Sequence, residues 1–255
     1  MSETVDRTIE VSQDVENTQK RAGTDMSLGI VILTGAGVSV ESGLAGFRGP
    51  DGLWEGYPVA DVATPEGFAA DPGTVQRFYN GLRRRLNEVE PNAAHAALAR
   101  LERELGDRNI HLVTQNIDDL HQRAGSTAIT AMHGELRAIR HVVTGEVRTC
   151  THDVPESELM WRPHVVWFGE RTIGLDGIAE RLSDAGMFIA IGTSGTVYPA
   201  NQFAAVAKAA GAITVEINTE PTAGPFDQRF IGAATQHVPQ FVDRLVQCYK
   251  QVRNR

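Results

Sequence analysis

The chain has 255 residues, with 24 Lys+Arg against 32 Asp+Glu and a formal net charge of −8. An apolar fraction of 42% with 22% charged residues is a globular balance that excludes overall disorder, and the acidic excess excludes a broad basic footprint for nucleic acid. No apolar run approaches the roughly 18 residues of a membrane span, and two cysteines, Cys150 and Cys248, make neither a disulfide framework nor a four-cysteine zinc site.

Residues 1–27 carry three basic and six acidic side chains among the first 25, with no apolar core of a signal peptide. A disordered tail, a cytoplasmic setting and a second candidate start at Met26 are expected. Ordered sequence begins with Gly29 to Thr34, a short β-branched run of the kind that fills a buried parallel strand. Comparable runs span Ile110 to Thr114, Met187 to Ile191 and Ala212 to Ile217, with weaker ones at Ile129 to Met132 and Pro163 to Phe168. Helical patterns alternate with them over Asn92 to Leu105, Gly174 to Ala185, Pro199 to Ala210 and Val238 to Val252. This alternation predicts an α/β fold, a Rossmann-like doubly wound parallel sheet.

Two stretches break the rhythm. Thr74 to Val89 sets Val75, Phe78, Tyr79, Leu82, Leu86 and Val89 on one helical stripe, and the polar stretch from Arg137 to Trp161 has weak strand character over His141 to Thr149. The expected organisation is a large domain of residues 28–48, 91–136 and 162–255, with a small inserted module of 49–90 and 137–161.

The chemistry-bearing residues fall at the ends of the predicted strands. Gly35-Ala36-Gly37 and Gly192-Thr193-Ser194-Gly195 are glycine turns of the type that lets a backbone approach an anion, although Val38 and Ser39 break the spacing of a dinucleotide fingerprint. Gln115-Asn116-Ile117-Asp118 brings amides and a carboxylate to a third strand end, as pocket groups or as a helix cap. His133 closes a fourth, as a structural imidazole or as a base near neutral pH, and Glu41 and Arg48 flank the first turn as a surface pair or as site residues.

Together with Glu41-Ser42-Gly43, Gly46-Phe47-Arg48, His133-Gly134 and Phe168-Gly169-Glu170, these motifs stand in an order that resembles the sirtuins, closest to their bacterial class III branch, over residues 28 to 247. The resemblance implies an NAD-dependent protein-lysine deacylase acting on acylated lysines of proteins, with no nucleic-acid or membrane partner; oligomeric state stays open. Nicotinamide, free lysine and O-acyl-ADP-ribose would be its products. It implies that Gly35, Ala36, Gly37, Gly192, Thr193 and Ser194 hold the phosphates. Asn218, Glu220 and Ala234 would meet the adenosine end, and Phe47 and Arg48 would cover the nicotinamide ribose. Gln115, Asn116, Ile117 and Asp118 would shape the nicotinamide pocket, and His133 would be the base, with Asn116 and Asp118 as catalytic partners. The substrate would lie as a strand beside Val166, Phe168, Gly169 and Glu170. The alternatives are an NAD glycohydrolase or ADP-ribosyltransferase, or a catalytically weak NAD or ADP-ribose binding module.

The sequence departs from that family twice. The zinc cysteines are missing, so zinc is not expected; His141, Cys150, His152 and Asp153 are the leftover potential ligands, and apolar packing of Val142, Val143, Val147, Leu159 and Trp161 would have to replace the metal. In the acyl pocket, Tyr79 matches a tyrosine whose usual partner is an arginine three residues on, but that position is Leu82. Arg83, behind it, either reaches the pocket or belongs to a solvated basic run with Arg84 and Arg85. Acetyl and apolar acyl groups are therefore expected over acidic ones.

Overall fold

The computed structural model describes residues 29–44 and 53–253. The strands are β1 (Gly29–Thr34), β2 (Leu53–Trp54), β3 (Tyr57–Pro58), β4 (Ile110–Thr114), β5 (Ile129–Ala131), β6 (Gly134–His141), β7 (Val147–Thr149), β8 (Trp161–Val165), β9 (Ala185–Ile191), β10 (Ile213–Asn218) and β11 (Gln228–Ile231). The helices are α1 (Val59–Val62), α2 (Pro65–Ala70), α3 (Pro72–Leu86), α4 (Ala93–Leu105), α5 (Leu120–Ala124), α6 (Leu175–Ser183), α7 (Phe203–Ala209) and α8 (Ala234–Arg253). The expected tail at 1–27, and Phe47 and Arg48, lie outside the described residues.

Six parallel strands form one sheet in the order β11-β10-β9-β1-β4-β5. The chain starts in the middle, winds outward to one edge, then returns to wind the other way. This is the doubly wound order, and it leaves a crevice where the connections from neighbouring strands diverge. Alternation along each strand divides the core. Ile30 and Ile32 face α4 and α8 with Leu98, Leu101, Val238 and Val242, whereas Val31 and Leu33 face α6 and α7 with Ile178, Leu182, Phe203 and Ala207.

Helix boundaries follow local chemistry. Asn92 caps α4 by accepting from the Ala94 N–H, and Asp71 caps α3 through Thr74. Helix α8 begins at Ala234, ahead of the expected Val238, because Glu41 accepts from the Thr235 N–H at 3.0 Å and from its hydroxyl at 2.5 Å. Among the described residues, that contact is the one Glu41 makes; its expected neighbour Arg48 lies outside them. Strand β11 is absent from the sequence reading. Its Arg229 lies opposite Glu216 in the register and pairs with that buried carboxylate at 2.9 Å, so a polar edge strand is held by charge instead of by apolar content.

Strand β8 corrects a second expectation. The Pro163 to Phe168 run does not join the parallel sheet; Trp161–Val165 pairs antiparallel with β6 in a three-stranded sheet, β7-β6-β8. This small sheet therefore extends past the expected 137–161 module on both sides. The packing is also different. Val142, Val143, Val147 and Leu159 are exposed. Leu136 and Val165 of the sheet join the apolar cluster of Val75, Phe78 and Tyr79 on α3, and polar side chains from another part of α3 bind backbone groups of the small module. The Asn80 carboxamide donates to Val154 O at 2.8 Å and accepts from Val154 N at 2.9 Å; Gln76 donates to Trp161 O at 2.7 Å; Arg83 donates to Leu136 O and to Asn80, both at 2.9 Å.

Arg83 is thus neither in a solvated run nor in a ligand pocket: it is 2% exposed and ties α3 to β6. Asn80→Ala would leave the Val154 N–H and C=O and the Arg83 Nη1 without these partners in a buried setting, where each unmet group costs about 1–3 kcal/mol. The expected outcome is a loss of about 2–4 kcal/mol in urea unfolding; a loss under about 0.5 kcal/mol would show that the polar clamp is dispensable.

Candidate active site

The C-terminal ends of β1, β4, β5 and β9 converge on a cavity of about 700 Å³, the size of a cofactor site. Its wall includes both glycine turns, residues 115–118, His133 and residues 165–172.

The two glycine turns meet each other. A Cβ on Gly35 would lie 2.7 Å from Gly192 O, and one on Gly37 would lie 2.7 Å from Gly192 Cα. Gly192 itself sits at φ +59°. The Gly35 and Gly37 N–H groups donate to Ile191 O (3.0 Å) and Gly192 O (2.8 Å). These glycines shape the turn by backbone contact, and their own amides are engaged within the protein.

His133 is oriented by its neighbour. Its Nδ1–H donates to Gln115 O at 2.9 Å, so the neutral ring carries its lone pair on Nε2. Burial lowers its pKa and the bond to Gln115 O partly opposes this, so the imidazole is neutral at pH 7. The next residue has to be glycine: Gly134 lies at φ +83°, and a Cβ there would stand 2.1 Å from His164 O. Gln115 turns its side chain to Thr193 Oγ1 at 2.9 Å, linking the third strand end to the second glycine turn.

Beneath these groups runs a buried polar network. Ser39 Oγ donates to Asp118 Oδ2 at 2.9 Å and accepts from Asn116 Nδ2 at 3.1 Å. Asp118 Oδ1 also accepts from the Leu120 N–H at 3.1 Å, from one position ahead of the α5 N-cap, which is Asp119, and Asp118 lines the cavity. Burial raises its pKa, against the Leu120 and Ser39 hydrogen bonds. Behind Ser39 stands His95, which no sequence reading singled out. Its Nδ1 accepts from the Asn92 N–H, which puts the ring proton on Nε2, 3.5 Å from Ser39 Oγ. The ring of His121 lies edge-on to it at 4.7 Å, and His121 Nε2 bonds Thr34 Oγ1 at 3.0 Å. The signal available was a histidine at a buried position of α4, three residues after its cap.

The remaining expected residues divide. Leu82, Val166, Phe168, Gly169 and Glu170 line the cavity. The Glu170 carboxylate, however, is clamped by Arg162 (2.6 and 2.9 Å) and by the Trp167 N–H (2.8 Å). Burial pushes its pKa up, but these bonds outweigh it and hold the group below the usual range. Tyr79 is fully buried; its hydroxyl accepts from Trp167 Nε1 at 2.9 Å, and it is not part of the cavity wall. Neither is Arg83, for the reason given above, nor Asn218, whose Nδ2 donates to Thr193 O at 2.8 Å and so positions the turn from behind. Glu220 is exposed, and Ala234 is buried in the core at the start of α8.

The leftover zinc ligands do not fit a metal. Cys150 is buried with its Sγ toward His152 O, and His141 Nδ1 accepts from the Val143 and Thr144 N–H groups. Among the described residues no group of three or more His, Cys, Asp or Glu is placed to hold a metal ion.

Two buried histidines give the network a pH signature. Burial lowers His95 to about 4 and, with the neighbouring His95, lowers His121 to about 3. Their folded values lie below the unfolded value of 6.5, so the unfolded chain takes up protons first and stability falls as pH drops below 6.5, until the folded values are reached. Each should cost about 2 kcal/mol of unfolding free energy by pH 5. Urea titrations at pH 7 and pH 5 should show this loss, with a smaller loss in His95→Gln; equal pH dependence in the two proteins would contradict a neutral buried His95.

Comparison with known proteins agrees with this geometry. The Sir2 family model matches residues 35–199. The NAD-dependent protein deacylase of Escherichia coli (strain K12) is 53% identical over 233 residues, covering 87% of this chain and 83% of that protein. A crystal structure of a Sir2 homologue in complex with NAD superposes with a TM-score of 0.80 at 34% identity, covering 92% of this chain and 94% of the other. A Sir2 in complex with a p53 peptide and NAD+ gives a TM-score of 0.69 at 28% identity, covering 86% and 92%. The chain belongs to the Sir2 family.

Proposed function

We propose that this protein removes acyl groups from lysines of protein substrates in an NAD-dependent reaction, with the cleft between the parallel sheet and the small sheet as its active site. The family, the NAD-dependent deacylases about half identical to it, and the cavity at the strand ends all support this reading. The observation that carries it is His133, a neutral imidazole held through Nδ1 by a backbone carbonyl, in the wall of a cavity that also contains Asn116, Asp118 and both glycine turns.

Bound NAD supplies an electrophilic ribose carbon and nicotinamide as its leaving group; the products are nicotinamide, free lysine and O-acyl-ADP-ribose. His133 Nε2 accepts a proton, and the Nδ1–H bond to Gln115 O supports the imidazolium that results. Asp118, fixed by Ser39 and Leu120, places negative charge where cationic character develops, and Asn116 is oriented by the same serine. Gly35, Ala36, Gly37, Gly192, Thr193 and Ser194 would form the phosphate cradle, shaped by the contact between the two turns. A substrate strand would lie along residues 166–170. The N–H groups of Val166, Phe168 and Glu170 are taken by His133 O, Ala63 O and Trp167 O, so carbonyls on this segment would do the reading.

His133→Ala should lose at least a hundredfold in kcat while retaining the fold, because general-base catalysis contributes roughly 10²–10⁴. The wild-type kcat/KM should fall only below pH 6.5, in line with the lowered pKa. Mass spectrometry of an acetyl-lysine peptide with and without NAD is the direct assay. Wild-type rate in His133→Ala would refute the base assignment, and nicotinamide release without deacylated peptide would point to a glycohydrolase.

The acyl pocket is apolar on its small-sheet side, where Leu82, Leu86, Trp54, Leu136, Val165 and Trp167 form the wall. A substrate carboxylate among such groups lacks the bidentate cation it needs. Acetyl and longer apolar acyl groups should therefore exceed succinyl and malonyl in kcat/KM. Leu82→Arg should raise desuccinylation by about tenfold or more, the worth of one charge-assisted contact; a wild-type preference for succinyl-lysine would overturn this reading.

A further inference from the structure

One charged pair breaks the apolar stretch of wall beside Leu82. Arg85 lies in the last turn of α3, three residues beyond Leu82 and so on the same side of the helix. Its Nη1 is 2.6 Å from Glu55 Oε2, and both residues line the cavity together with Trp54 and Leu86. Glu55 stands in the tight turn between β2 and β3 at φ +50°, followed by Gly56 at φ +85°. Two consecutive left-handed residues call for Asn or Gly, and a glutamate there is conformationally disfavoured. It is nevertheless the residue whose carboxylate reaches Arg85.

The other charged groups of the described wall are engaged elsewhere. Glu170 is clamped by Arg162, Arg171 pairs with Asp176, and Asp118 is bonded to Ser39 and Leu120. Among the described residues, Arg85 is therefore the cation available to the Leu82 side of the cavity, and Glu55 occupies it.

We infer that Glu55 is a specificity-determining residue, an internal carboxylate that neutralises Arg85 and so excludes acyl groups ending in a carboxylate. The inference rests on the deacylase reading of the same cavity and names what that cavity rejects. The mechanism is charge competition. An acyl carboxylate entering beside Leu82 meets an arginine already paired and a second negative charge next to it. Entry then requires either displacing Glu55 or placing two carboxylates on one guanidinium, and an acetyl or apolar acyl group meets neither demand. Without the glutamate, Arg85 would present an unneutralised guanidinium to the pocket, suited to bidentate recognition of a carboxylate.

The test compares kcat/KM on matched acetyl- and succinyl-lysine peptides for wild type, Glu55→Gln, Glu55→Gly and the double variant Glu55→Gln with Arg85→Leu. Glu55→Gly suits the left-handed backbone and guards against a folding defect in Glu55→Gln. Both single variants should raise the succinyl-to-acetyl ratio by at least tenfold, the gain should shrink with added salt, and the double variant should return to the wild-type ratio. An unchanged ratio in both single variants would overturn the inference, as would a gain that survives loss of Arg85. Absence of NAD-dependent deacetylation in the wild type is a different failure, since it would refute the deacylase reading itself.

Discussion

Backbone contact between the turns after β1 and β9 is the constraint on which the active site depends. The two strands are neighbours in the sheet, and the chain leaves them in opposite directions. Their turns interlock so closely that a methyl group on Gly35, Gly37 or Gly192 would collide with backbone rather than with a movable side chain. This contact fixes Thr193, which in turn receives Gln115 through its hydroxyl and Asn218 through its carbonyl. Gln115 then holds His133. His133 is thus located by a chain of hydrogen bonds that begins at a glycine pair two strands away.

The parallel sheet was readable because buried parallel strands are short β-branched runs, and each glycine turn directly follows one. Its order and the cavity at the strand ends follow from alternation with helices. Two kinds of feature were not readable. Strand β11 depends on a pairing between Glu216 and Arg229, which are far apart as sequence signals. Arg83 was indistinguishable from Arg84 and Arg85 in a run of three; its fate depends on the carbonyl of Leu136, supplied by a strand more than fifty residues later. The histidines behind Ser39 were hidden for a related reason. A buried neutral histidine looks like any helix residue until its two ring nitrogens are given partners.

The catalytic elements expected from the family order, Gln115, Asn116, Asp118 and His133, are brought together in one cavity wall. Of the peripheral residues, Asn218 bonds the carbonyl of Thr193 and Ala234 is buried at the start of α8. Strand ends are fixed by the sheet and can be inferred from it. Residues on long connections are placed by tertiary contacts that a single sequence does not display. The small sheet makes the same point, for Val142, Val143, Val147 and Leu159 are exposed while amides and a guanidinium from one helix meet backbone groups beside its apolar contacts.

The stitching of residues 133–168 bears on how the cleft can move. The Val166 N–H bonds His133 O, the Leu136 N–H bonds Ile117 O, and the Phe168 N–H bonds Ala63 O, so β6, β8 and the segment after β8 are tied both to the helices and to the β4 strand end. A hinge that rotated the small sheet as a rigid body would carry His133 with it and break its alignment with Gln115. Loosening these bonds would therefore disturb the contact between His133 and Gln115 even with every side chain of the cavity intact.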